Sequence, residues 1–421
     1  MGILQQAYYS VGPYANTDER RVGKFFAGLS EHHSLPSVRH RVVELIQHDV
    51  AIINLWTEYR YKGYRYLRRT ERRKLYANLN LIADDFASFR ASRQHDDRAA
   101  DKARQVVSGA KIQPDHATLL DDMMQYFSGP HGRFEYRASS TFGRLLRDPS
   151  HERLIGDCNQ IVTLYIYLFS RYFDVQDLQL RLLPGHVALH YGGVDIETTS
   201  GQWANYESRE KATIVPIEEI ISINLLDTTD ENFATHEVDP KDFLQAARFA
   251  SILSHSRDIV QHNLEAAYAK LVNGAMDRHD LASALKFARQ SRDMTLLSVV
   301  GHNGAIYFIQ QHDFSRARTF ANYAVKKADL IRDSYRAEGV YHYDAHRYGD
   351  AIKAFERYGD KELIKRCYEA LFFEEQSKLP TSLTSESVKV YASTIHRMQK
   401  HAKKSGNHEL QSHVDKLQSY L

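Results

Sequence analysis

The sequence predicts an α+β protein, with helices at both ends of the chain and a mixed segment of helix and antiparallel sheet between them. Three observations carry this. Apolar residues recur at helical spacing from residue 36 to about 110, the stretches LQLRLL and HVALHY alternate as strands do, and a helical period of 33 to 34 residues sets in after residue 243. With 421 residues, 43% of them hydrophobic, the chain can bury a large core, and its length suits two or three domains.

Residues 1–34 carry Gly, Tyr and charge without a sustained period and read as a loosely ordered lead-in. The opening MGILQQAYYSVGPY lacks a basic stretch leading into an apolar one, and Gln6 stands where a myristoylation pattern needs Ser or Thr. Two cysteines, Cys158 and Cys367, are too few for a disulfide scaffold and read as free thiols. A cytoplasmic location is expected on these grounds. The most apolar run, Ile161 to Phe169, is about half of the roughly 18 to 20 residues that a membrane span needs. It reads as a buried helix.

Between 36 and 110 two helices are expected, as a hairpin or short bundle. Val42, Ile46, Ile53 and Trp56 mark the first, and Leu75, Leu79, Ile82, Phe86 and Phe89 form a heptad-like seam on the second. From Arg60 to Lys74 eight basic residues (Arg60, Lys62, Arg65, Arg68, Arg69, Arg72, Arg73, Lys74) stand against one acid, Glu71. Interleaved with Tyr61, Tyr64 and Tyr66, such a stretch can hold nucleic-acid phosphates or lie on an anionic membrane. The preferred reading is a helix with a solvated arginine face, partly neutralised by Asp84, Asp85, Asp96 and Asp97. The whole chain sets 55 basic against 53 acidic residues, so no global field marks it as a nucleic-acid binder.

The segment 115–225 carries the chemistry. Asp157 precedes an apolar run through Phe173 and reads as the N-cap of a helix, which places Cys158 in its first turn. There the unpaired N–H groups and the positive end of the helix dipole favour a thiolate, although a lone free cysteine is more often a small buried hydrophobe. LPGHVALHYGGVDIETTSG reads as a β-hairpin turning at Gly192-Gly193. If Tyr191 opposes Val194, then His190 opposes Asp195, Ala188 opposes Glu197 and His186 opposes Thr199, all on one face. Val187, Leu189, Tyr191, Val194 and Ile196 share the other face, expected to be core. Glu197 is then the diagonal neighbour of His186, roughly 7 to 8 Å away along the backbone. Asp195 lies four positions from His186, about 13 Å. Cys158, His186 and Glu197 are therefore expected to form a nucleophile, base and orienting acid, with Asp195 paired instead to His190.

From 243 to 421 a helical array is expected. Asp280-Leu281-x-x-Ala284, Asp313-Phe314-x-x-Ala317 and Arg347-Tyr348-x-x-Ala351 restart after 33 and then 34 residues, and Gly339 precedes Tyr348 by nine. Ala284, Ala317 and Ala351 are expected where paired helices cross closely.

Gly156-x-Cys158 opening a buried helix, Pro184-Gly185-His186 opening a strand, and Glu197-Thr198-Thr199-Ser200-Gly201 closing the next resemble the transglutaminase-like superfamily, which has a papain-like core. The repeat type resembles tetratricopeptide repeats. The likeness covers about 140–205 and, by repeat type, 245–370, and leaves the N-terminal third uncovered. It implies Cys158 as nucleophile, His186 as general base and Glu197 as the acid that orients the imidazole. Many members have Asp in place of Glu197, the base-to-acid spacing is short here, and only the backbone N–H of Cys158 can be assigned to an oxyanion.

The expected function is a cysteine-dependent acyl-transfer enzyme, a protease, deamidase or related amide hydrolase, with hydrolysis preferred over cross-linking because no amine-acceptor site is indicated. A protein or peptide would be its substrate or partner, recruited by the repeats. The alternative is a non-catalytic interaction protein using a degenerate core and the repeats as a scaffold. No cofactor and no metal are implied, since the 22 histidines include no cluster at ligand spacing.

Overall fold

A computed structural model describes residues 12–421 except 31, 65, 94–97, 139–140, 229–237, 256 and 383. It is an α+β structure that divides into two compact units, 1–270 and 271–421.

The first unit opens with helices α1 (Thr17–Ala27), α2 (Leu35–Thr57), α3 (Arg69–Ser92), α4 (Ala99–Val106) and α5 (Pro114–Ser128). Residues 17–27 were expected to be irregular. They form α1 instead, capped by Asn16 and burying Val22, Phe25, Phe26 and Glu19. Its anchor is remote in sequence: Arg72 donates from Nε to Glu19 Oε1 at 2.6 Å, and the Tyr76 hydroxyl donates to the same oxygen at 2.6 Å. Both charged side chains are fully buried. An ion pair survives burial only when further hydrogen bonds saturate it. Arg72 meets this condition by donating also to the carbonyls of Leu67 and Pro13, while the Tyr59 ring packs under its guanidinium at 3.8 Å.

The basic stretch therefore departs from the expected helix with a solvated arginine face. Residues 58–62 make a π-helical turn, 63–64 and 66–68 are irregular, and only 69–74 are α-helical. Lys62 and Arg72 are buried, and Arg69 and Arg73 donate to the carbonyls of Gly12 and Ala15. Asp85, expected to help neutralise this face, accepts instead from Tyr126 and Arg133. Asp96 and Asp97 lie outside the described residues.

Then come β1 (Phe134–Tyr136), the short α6 (Phe142–Leu145), β2 (Leu154–Gly156) and α7 (Cys158–Phe169), with β1 and β2 paired in parallel. After α7 the chain builds an antiparallel sheet from β3 (Gln179–Leu183), β4 (His186–Tyr191), β5 (Val194–Glu197), β6 (Gln202–Ala204) and β7 (Thr213–Pro216), in spatial order β6-β5-β4-β3-β7. The β4–β5 register pairs Tyr191 with Val194 and His190 with Asp195, as the two-residue turn dictates. Gly192 and Gly193 both have positive φ, and a Cβ on Gly192 would stand 2.4 Å from the Lys111 carbonyl oxygen. Only the other face of the hairpin was expected to be core, yet Ala188, His190, Asp195 and Glu197 are buried as well.

The unit closes with α8 (Glu219–Leu226), α9 (Pro240–Leu253) and α10 (Arg257–Asp277), within which the division falls. The helices of 36–110 thus belong to the same unit as the sheet, and α9 does too, although the array was expected to begin at 243.

The second unit contains α11 (Leu281–Ser291), α12 (Met294–Gln310), α13 (Phe314–Ala321), α14 (Lys327–Asp344), α15 (Tyr348–Tyr358), α16 (Lys361–Gln376), α17 (Ser385–Val390), α18 (Ala392–Ser405) and α19 (His408–Gln418). Ala284, Ala317 and Ala351 are fully buried. The period also shows in the turns, where His279, His312 and His346 each take a positive φ just before a helix. His279 stacks on Tyr307 and His312 on Tyr341, so the same aromatic contact recurs one period later. Among the described residues no helix is long and apolar enough to cross a membrane.

Candidate active site

Cys158 is placed by α7. Asp157, in extended conformation, accepts from the N–H of Gln160 and caps the helix. Every residue from Asn159 to Phe169 is buried, so α7 is held on all sides and the position of the sulfur is fixed by packing rather than by a loop. The helix ends at Phe169, short of the expected Phe173. Of its first-turn N–H groups, that of Ile161 bonds the Asp157 carbonyl and that of Gln160 bonds the Asp157 side chain. Those of Cys158 and Asn159 have no partner among the described residues, as the first turn of a helix requires.

His186 opens β4. The residue before it, Gly185, has φ +69°, a conformation that side-chain-bearing residues rarely adopt, and this turn delivers the imidazole to a cavity that Cys158 also lines. The imidazole of His186 lines the same cavity as Cys158 and, through Nε2, bonds Glu197 Oε2 at 2.7 Å. Nδ1 is the ring nitrogen left for the sulfur. The neighbouring Cys158 side chain first, and then the Glu197 carboxylate, outweigh partial burial and push His186 up to about 10.

Glu197 ends β5 and is 6% exposed. Burial pushes its carboxyl up, but hydrogen bonds from His186, Thr199 and Tyr206 prevail and hold it at about 2. Thr199 supplies its N–H at 3.0 Å and its hydroxyl at 2.5 Å to Oε1, and the Tyr206 hydroxyl donates to Oε2 at 2.7 Å. A carboxylate so saturated stays ionised and cannot rotate away from the imidazole.

Asp195 takes no part in this chain. It accepts from His190 Nδ1 at 2.7 Å and from Arg181 Nε at 2.9 Å, both buried, and from the Tyr206 N–H at 2.7 Å. The structure therefore brings Cys158, His186 and Glu197 together and gives Asp195 to His190.

Two neighbours escaped the sequence reasoning. Tyr206 follows β6 and joins both carboxylates, one through its hydroxyl and one through its N–H. Tyr136, at the end of β1, lines the cavity beside Cys158. No local pattern flags either residue.

Among the described residues no group of three His, Cys, Asp or Glu side chains is placed to hold a metal. The other cysteine, Cys367, is fully buried, and burial pushes its thiol up to about 11. Compared with protein-family models, curated proteins and solved structures, the chain has no match.

Proposed function

We propose that this chain is a cysteine-dependent amide hydrolase, a protease or deamidase, with Cys158 as nucleophile, His186 as acid and base, and Glu197 as the residue that orients the imidazole. The single observation that carries the reading is the 2.7 Å pairing of the His186 imidazole with the Glu197 carboxylate in a cavity of about 390 Å³ that Cys158 also lines. A capped helix bearing the cysteine beside an antiparallel sheet bearing the base and acid supports a transglutaminase-like, papain-type core.

In the first step the sulfur attacks the substrate carbonyl carbon and a C–S bond forms. The C–N bond then breaks, and the proton carried by the His186 imidazolium goes to the departing amine or ammonia. The N–H groups of Cys158 and Asn159 are the donors available for the oxyanion. In the second step water attacks the thioester, gives one proton to His186, and releases the carboxylic acid and the Cys158 sulfur. Glu197 keeps its negative charge throughout and holds the Nε2–H.

The second unit is read as a tetratricopeptide-type array that recruits the protein or peptide substrate. A groove of about 1050 Å³ lined by His279, Tyr307, His312 and Tyr341 supports this. The same groove would serve the alternative, a scaffold with a core that does no chemistry.

Alkylation separates the two. Iodoacetamide at neutral pH is expected to modify Cys158 far ahead of Cys367, and an electrophilic acyl-amide probe to label wild type but not Cys158→Ala. Equal rates at the two cysteines, or labelling that survives Cys158→Ala, would sink the enzymatic reading.

A further inference from the structure

The cavity beside Cys158 has features that the triad does not use. One wall is apolar, built from Leu182, Leu183, Ile223, Leu226 and Val260. Asp157, Glu219 and Asp227 also line it, and among the described residues no Lys or Arg does. Two of these carboxyls are engaged: Asp157 caps α7, and Glu219 accepts from the Ser254 hydroxyl and from the N–H of His255. Asp227 differs. Its one hydrogen bond among the described residues comes from Asn159 Nδ2 at 3.1 Å. Burial pushes its carboxyl up, against the pull of the Lys62 ammonium and the Asn159 amide.

A second and independent observation concerns neutral groups. Asn159 and Ser222 are 6% and 1% exposed and both line the cavity, yet Asn159 Oδ1 and Ser222 Oγ have no hydrogen-bond partner among the described residues. Asn159 turns its amide N–H to Asp227, which leaves its oxygen as a pure acceptor. Buried acceptors are normally paired, and a donor brought by a ligand would restore the balance.

We propose that this cavity seats a cationic side chain of the substrate, a Lys or Arg next to the attacked carbonyl, with its aliphatic stem on the apolar wall and its N–H donors on Asn159 Oδ1, Ser222 Oγ and the Asp227 carboxylate. The proposal rests on Cys158 being the nucleophile. The chemistry selects the occupant by exclusion. An acidic side chain meets three carboxyls against the single His186 imidazolium, a purely apolar one leaves the acceptors unpaired, and a cation on an apolar stem satisfies both the apolar residues and the acceptors.

The test uses the full chain and three peptidyl chloromethyl ketones that carry Lys, norleucine or Glu at the residue bearing the warhead, with rates read by intact mass. The Lys probe is expected to label Cys158 about tenfold faster than the norleucine probe, with Glu slowest, and Asp227→Asn to narrow that ratio. Equal Lys and norleucine rates on a Cys158 that does react overturn the cavity assignment and leave the nucleophile standing. If Cys158 does not outpace Cys367, the nucleophile falls. The cavity is then judged by nuclear magnetic resonance titration of Cys158→Ala with Nα-acetyl-lysine amide against the norleucine amide. Saturable shifts at the cavity for lysine alone support it, and the same response to both overturns it. Should Asp227→Asn fail to fold, Leu226→Trp fills the cavity and must slow the Lys probe more than it slows iodoacetamide.

Discussion

Glu197 and Tyr206 are joined by a 2.7 Å hydrogen bond from the tyrosine hydroxyl to Oε2, the same oxygen that accepts from His186. The tyrosine therefore competes with the imidazole for the charge while pinning the carboxylate in place. Removing it in Tyr206→Phe is expected to leave the protein folded, to raise the carboxyl from about 2 and, with the charge left to the imidazole, to raise His186 further above its ordinary value. Titration of the His186 ring followed by proton resonance would check both directions. An unchanged midpoint would mean that Tyr206 is packing alone.

The two acids of the hairpin should separate cleanly. Glu197→Gln removes the charge that orients the imidazole, and its effect on activity toward an amide is expected to be on the order of a hundredfold or more. Asp195→Asn weakens the hydrogen bonds to His190 and Arg181 instead and should act through stability, by about 2 to 4 kcal/mol. Denaturant unfolding and turnover of the same two proteins read the split. If Asp195→Asn abolished activity in a folded protein while Glu197→Gln did not, the assignment of the acid would be reversed.

The same groups set a pH dependence of stability. Glu197 lies below its ordinary value of 4.5, so its contribution is complete above 4.5 and is lost as pH falls towards about 2. His186 lies above its ordinary 6.5, so its contribution is complete below 6.5 and is lost as pH rises towards about 10. The triad thus stabilises the fold most between these ordinary values. The fall in thermal midpoint from pH 7 to pH 10 should be steeper in wild type than in His186→Ala, measured by calorimetry in matched buffers. Parallel curves would show that the imidazole carries no folded-state shift.

At the other end of the first unit, Glu19→Gln leaves the Arg72 guanidinium buried without its countercharge. Such a break costs about 3 to 5 kcal/mol. The double variant Glu19→Leu, Arg72→Met is expected to recover much of the loss, because it removes both charges at similar volume. Urea midpoints of the three proteins test this, and a single variant as stable as wild type would show that the pair is solvated in solution.

The legible part of this molecule is the part specified by neighbours in the chain. The cap at Asp157, the turn at Gly192-Gly193 and the alternation around them fix Cys158, His190, Asp195 and Glu197 from a few adjacent residues each. Long-range partners decided the rest. Helix α1 is only 11 residues long and owes its buried face to Arg72, more than fifty positions away. Short helices seldom hold without such packing. Arg72 looked like one of a run of solvated charges because its partner is not local. Tyr206 follows a three-residue edge strand that carries no periodic signal.

The repeat in the second unit permits a test in which propensity and packing predict opposite signs. Gly339 and Gly349 both lie in helices, where replacing Gly by Ala adds up to about 1 kcal/mol of intrinsic helix stability. Around Gly349 nothing lies within 4 Å of an added Cβ, so Gly349→Ala should be neutral or stabilising. At Gly339 an added Cβ would stand 2.4 Å from a ring carbon of Phe355, which is 2% exposed and packed with the buried Ala351. That ring has no space to withdraw into, so α14 and α15 must separate, at a cost of about 1 to 3 kcal/mol that exceeds the propensity gain. Gly339→Ala is therefore expected to lower the thermal midpoint while Gly349→Ala leaves or raises it. Gly304, whose added Cβ would stand 2.3 Å from Phe320 one repeat earlier, should behave as Gly339 does. If Gly339→Ala and Gly304→Ala proved as stable as Gly349→Ala, the close helix crossings that define the array would not exist, and with them would go the proposal that it presents a substrate to Cys158.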